Sequence, residues 1–100
     1  MDLAKLRTDS RELLERLADR LPQDKLNEYR SLSDVGEWAI LVDLLSATLV
    51  KRNIPITPAE RDALADLLAL FPTTVEDLDY ITHRDQTLAA LTVTTQHDTP

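Results

Sequence analysis

The chain contains no cysteine, which excludes disulfides, thiolate metal sites and cysteine nucleophiles. It contains one glycine, Gly36, too few for a loop that cradles a phosphate or a dinucleotide. Four aromatics, Tyr29, Trp38, Phe71 and Tyr80, leave little surface for stacking nucleic-acid bases. The two histidines, His83 and His97, lie far apart along the chain and make a poor metal pair. The longest apolar run, Trp38–Val50, spans about 13 residues and is interrupted by Asp43; a membrane-spanning helix needs about 20. The opening residues, MDLAKLRTDS, lack the apolar stretch of a secretory signal. Together these absences predict a cytoplasmic protein with no cofactor, no metal and no membrane or nucleic-acid partner.

What is present is helical periodicity and acid. One hundred residues fit one domain, and a chain of this size buries roughly 60–70% of its unfolded surface. The net charge is −7 and unevenly placed. Residues 1–30 carry seven basic and seven acidic groups, whereas residues 31–100 carry four and eleven. The later part would repel a phosphate backbone and steer a basic protein toward itself. An acidic surface that serves only solubility fits the same numbers.

Leu3, Leu6, Leu13, Leu17 and Leu21 recur at helical steps, predicting one amphipathic helix from about Asp2 to Leu21. Asp2 or Asp9 is its cap. Pro22 stops it and opens a short helix to about Leu32. A third helix is expected from Asp34 to Arg52, with Asp34 and Glu37 at capping-box spacing. Val35, Trp38, Val42, Leu45 and Leu49 share one of its faces. Ile40, Leu44 and Ala47 fall on roughly the opposite side, so the helix is apolar on both sides and should be central. Thr57 as cap, Pro58 at the first helical position and Glu60 at the third predict a fourth helix to about Phe71. Thr73 and Glu76 predict a fifth, from Thr74 to about Thr82. After His83 the signals weaken, and Leu88 and Leu91 fit a last turn or a strand.

No catalytic constellation stands out. Asp79 and Asp85 flank His83, but no nucleophile with an oxyanion loop accompanies them. The carboxylates are numerous enough to pair by chance, so an enzyme is not expected. A helix-turn-helix reader is also disfavoured, because the Pro58–Phe71 helix carries one arginine and three acids.

The stretch Gly36-Glu37, then Ile54-Pro55-Ile56-Thr57-Pro58-Ala59-Glu60, then Leu64, Leu67 and Leu68 resembles the MafI-type family of small bacterial immunity proteins. Those proteins share a Gly-Glu opening a long apolar helix, an I-P-I-[ST]-x-x-E connector and a helix of spaced leucines. The resemblance covers residue 34 to about 70. Family members often carry a histidine where this chain has Val35, and residues after Pro72 lie outside the match. The resemblance implies a cognate-specific neutraliser of a bacterial toxin domain, acting by direct binding. A basic nuclease is one such partner; a toxin that consumes nicotinamide dinucleotide or transfers ADP-ribose is another.

The sequence therefore predicts an all-α, compact bundle of four to five short helices around a central apolar helix, with residues 1–91 as the domain and 92–100 as a frayed tail. The candidate partner-binding residues are Glu37, Asp43, Asp62, Asp66, Glu76, Asp77 and Asp79. Glu37 has a competing role as a helix cap, Asp43 as an edge of the buried face, and the other five as a solvated surface. The competing function is a helical oligomerisation or adaptor module, possible as a homodimer, in which Ile40, Leu44 and Ala47 bury against a second copy.

Overall fold

A computed structural model describes residues 1–94 and has the expected all-α architecture. Six helices are present among the described residues: α1 (Leu3–Arg16), α2 (Gln23–Asp34), α3 (Trp38–Lys51), α4 (Pro58–Leu68), α5 (Asp79–Thr82) and α6 (Arg84–Ala90). The central position expected of the apolar helix holds, since α3 packs against α1, α2, α5 and α6, while α4 closes on α1 and α6. Leu41, Val42, Leu45 and Leu49 of α3 are buried with Leu13, Leu14 and Leu17, Leu26 and Tyr29, and Leu64, Leu67 and Leu68. Every one of these helices is too short to be stable alone, so the shared core holds them.

Helix ends decide the topology. Asp2 caps α1 by accepting from Lys5 N at 3.0 Å; Asp9 lies mid-helix and accepts from Lys5 Nζ instead. α1 stops at Arg16 rather than Leu21, and the Leu17 amide is shared between the carbonyls of Leu13 and Leu14. Leu21 and Pro22 then turn the chain into α2, with Pro22 just before the first helical residue.

The α2–α3 connection differs from the expectation. Asp34 does not cap α3; it is the last residue of α2. Gly36 has φ of 81°, the Gly36 amide bonds Ser33 O and the Glu37 amide bonds Leu32 O at 2.9 Å. This is a Schellman ending, in which a residue of positive φ satisfies the orphan carbonyls of the helix before it. Only Glu37 remains to precede α3, and its side chain makes no capping hydrogen bond. Val35, expected on the buried face, is 72% exposed as a result. Asn53, with φ of 51°, ends α3 in the same way through Ile54 N to Leu49 O at 3.1 Å.

The capping box at Thr57 forms in full. Glu60 N donates to Thr57 Oγ1 at 3.1 Å and Thr57 N to Glu60 Oε1 at 2.8 Å. The helix expected from Thr74 shrinks to the single turn α5. Asp77 has φ of 68°, which breaks a helix there, and Thr82 Oγ1 both accepts from Val75 N and donates to Val75 O. The segment after His83 forms α6. Beyond it, Ile56 N donates to Thr92 O at 3.0 Å and Thr94 N to Ile56 O at 2.8 Å. The packed chain thus continues to Thr94 rather than ending at 91; residues 95–100 of the expected tail lie outside the described residues.

Candidate functional site

Two acids, the candidate Asp43 and the capping-box residue Glu60, are buried and engaged inside the fold. Asp43 lies on α3 and is 8% exposed. Its Oδ1 accepts from Tyr80 N at 2.9 Å and Ile81 N at 3.0 Å. Those are orphan amides of the first turn of α5, so a residue of another helix supplies the cap. Burial pushes the Asp43 carboxyl up, against the two amides that favour its charge, and Asp79 nearby adds to the rise. Asp43 is therefore corrected from a partner-contact candidate to a structural acceptor, because its carboxylate is enclosed and engaged.

Glu60 is 6% exposed. Arg20 grips it with Nη1 to Oε1 at 2.8 Å and Nη2 to Oε2 at 2.6 Å. The same guanidinium donates to Pro55 O at 3.0 Å and Arg16 O at 3.0 Å. The two-pronged pair holds the Glu60 carboxyl below the usual range, with the Thr57 amide assisting against burial. Arg20 thereby ties the end of α1 to the connector and to the start of α4.

Arg84 plays the matching part at the other end of α4. It donates to the carbonyls of Leu68, Phe71 and Pro72, and so ties the turn that follows α4 to the start of α6. Sequence reasoning did not single out Arg20 or Arg84, since their acceptors lie on other elements. The one legible signal, for Arg84 alone, was that residues 31–100 contain only four basic groups.

The remaining candidates are on the surface. Glu37, Asp62, Asp66, Glu76, Asp77 and Asp79 are all exposed. None of the six is in a salt bridge among the described residues, whereas Asp9, Glu15, Asp34 and Glu60 each have a basic partner. The structure does not gather them in one place. Asp62 and Asp66 lie on α4, with Asp66 over a groove shared with Asp9, Glu12 and Arg16 of α1. Glu76 borders a groove floored by Trp38 and Val75. Asp79 lines a separate hollow of about 310 Å³ with Tyr80, His83 and Gln86.

That last hollow contains the histidine with its flanking acids. Among the described residues no hydrogen bond joins His83 to a carboxylate, and no group of three or more His, Cys, Asp or Glu is placed to hold a metal ion. The Lys51 ammonium lies 5.9 Å from the Tyr80 ring centre at the same end of the molecule.

Trp38 divides two further concavities. On one side is a cleft of about 880 Å³ between α1 and the α2–α3 connection. Arg11, Glu15 and Asp34 of its lining are paired: Arg11 binds Glu15, and also Asp34 at 3.0 Å, and Arg30 binds Glu15 as well. Arg30, helped by Arg11 and opposed by burial, draws the Glu15 carboxyl down to about 2. On the other side is the apolar groove that Glu76 borders, of about 530 Å³. The Trp38 indole N–H donates to Ser33 O at 3.1 Å, which fixes the ring across the divide. Leu3, expected on the inward face of α1, borders this groove and is 57% exposed.

Comparison with known proteins assigns the chain to a family. A model described as a family of unknown function, DUF6189, matches residues 1–87, and the chain belongs to that family. The match takes in α1 to α5 and the first half of α6. No curated protein and no solved structure matches the chain. No helix is long and apolar enough to cross a membrane, among the described residues.

Proposed function

We propose that this protein is an immunity protein, which binds a cognate bacterial toxin domain and neutralises it through an acidic helical surface. The observation that carries the reading is the unspent charge. Asp62, Asp66, Glu76, Asp77 and Asp79 are exposed and unpaired among the described residues, although side-chain ion pairs are plentiful elsewhere. A surface that leaves its acids open presents a negative field to a basic partner and accelerates encounter with it. The resemblance of Gly36-Glu37 and the Ile54–Glu60 connector to MafI-type immunity proteins supports the same class. A basic toxin that acts on nucleic acid fits the field best, since its own substrate carries the same sign.

The test is co-expression in bacteria. A toxin domain encoded beside this gene should arrest growth when expressed alone, and growth should resume when this protein is present. Continued arrest at equal expression would exclude neutralisation.

One observation favours the competing class. Ile40 is 36% exposed on α3, and Leu44 and Ala47 on the same side are only half-buried. That stripe would suit a second copy. Light scattering across a wide concentration range separates the two, since an oligomerisation module must show a mass above that of one chain.

A further inference from the structure

The apolar groove beside Trp38 is bordered by Leu3 from the start of α1, Trp38 and Ala39 from the start of α3, and Phe71, Val75 and Glu76 from the α4–α5 connection. Three elements distant in sequence thus converge on one concavity, and its volume of about 530 Å³ falls within the range of pockets that seat a ligand-sized group. Of the large apolar residues left exposed, Met1 and Leu3 line this groove, while Val35 lines the cleft just across Trp38. The side-chain charge on the groove is acidic: Glu76 lines it and no lysine or arginine does, while the amino group of Met1 stands at its α1 end. Asp2, Glu37 and Asp77 adjoin lining residues in sequence; of the neighbouring bases, Lys5 is bound by Asp9 and Arg7 lines the cleft across Trp38. The cleft across Trp38 differs, because Arg7 and Arg11 line it together with Glu12, Glu15 and Asp34.

We infer that this groove is a docking site for a segment of a protein partner that presents apolar side chains flanked by lysine or arginine. The apolar floor gains by excluding water, and the carboxylate rim selects cationic flanks and repels anionic ones. A second copy of the chain docking by the same face would bring the same acids to the groove, and an anionic lipid surface or a nucleic acid would meet like charge. Basic protein is the occupant that agrees with both the floor and the rim. The inference rests on the neutralisation reading only in taking the partner to be a protein.

Trp38 is the only tryptophan and lines both the groove and the cleft across from it, so its fluorescence reports binding at either, and the Leu3 and Glu76 variants assign it to the groove. The probe is a tryptophan-free amphipathic peptide of leucine and lysine, titrated into the full chain beside a leucine and glutamate twin. The lysine peptide should shift the Trp38 emission saturably and the glutamate peptide should not. Leu3→Ser and Glu76→Gln should each weaken binding roughly tenfold. Leu3 and Glu76 are exposed, and unchanged melting curves would show that both variants fold. The Asp62→Asn, Asp66→Asn double variant removes two charges elsewhere and should bind within about twofold of the parent. Absence of a saturable shift, equal binding of the two peptides, or losses in the Asp62/Asp66 variant that match those of Leu3→Ser would each overturn the site. Those outcomes leave neutralisation through another face intact, and failed co-expression would leave the groove intact.

Discussion

Asp43 and Glu60 are buried carboxylates whose surroundings push them in opposite directions. Glu60 meets a guanidinium, so its ionised form is favoured in the folded state. Its contribution is present above the unfolded value near 4.5 and is lost as pH falls through the depressed folded value. Asp43 meets two amides but no cation, and burial dominates. Its contribution is present below the unfolded value near 3.8 and is lost as pH rises through the raised folded value. In urea unfolding between about pH 7 and about pH 3, Glu60→Gln should therefore gain on the parent as pH falls, and the parent should gain on Asp43→Asn. Glu60→Ala also strands Arg20 and opens the capping box, and should cost about 2–4 kcal/mol at neutral pH. Ser46 offers the reverse case. Its hydroxyl is fully buried on α3 without a hydrogen-bond partner among the described residues. Ser46→Ala should raise stability by about 1 kcal/mol, read as a higher urea midpoint at unchanged slope.

At the scale of elements, the fold depends on how helices end rather than on how strongly they begin. Gly36 and Asn53 close α2 and α3 with positive φ. A methyl group at Gly36 would meet Trp38 Cζ2 at 3.8 Å, an ordinary contact. The cost of Gly36→Ala is therefore conformational, roughly 1–2 kcal/mol, and a thermal melt should show it. α5, a single turn, stands only because Asp43 caps it and Thr82 clasps Val75. Asp43→Ala should speed hydrogen exchange at Tyr80 and Ile81 well before it affects α3, which separates local opening from global unfolding. Apolar spacing made α1, α3 and α4 readable, and the Thr57–Glu60 box was read correctly in detail. The Asp34–Glu37 and Thr73–Glu76 spacings were equally good patterns and formed no box. In each case a nearby residue of positive φ, Gly36 or Asp77, governs the local backbone, and side-chain spacing does not reveal that.

For the whole molecule, charge placement governs how it meets a partner. Lys5, Arg11, Arg20 and Arg30 are spent on Asp9, Glu15, Asp34 and Glu60; Asp62, Asp66, Glu76, Asp77 and Asp79 have no such partner among the described residues. On the proposed neutralisation of a basic toxin domain, neutralising Asp62, Asp66, Glu76, Asp77 and Asp79 together should slow association with that domain at low salt, by about tenfold or more in stopped-flow measurements. The gap between variant and parent should close as salt rises, because the Debye length falls to about 8 Å at physiological ionic strength. The five acids occupy separate regions, so single substitutions should each do little, and the summed field should set the rate.

Periodicity and composition alone determined the helical class, the central role of the Trp38–Lys51 helix and the direction of the charge imbalance. Those properties depend on residue type and short-range spacing, which a chain displays before it folds. The tertiary structure decided which acids are free. Asp43 and Asp62 look alike in sequence, yet one caps a helix and the other faces solvent, because that distinction depends on what a distant element brings alongside. It also set Leu3, Trp38 and Val75 around one groove, a juxtaposition of residues from three separate elements that no local pattern encodes.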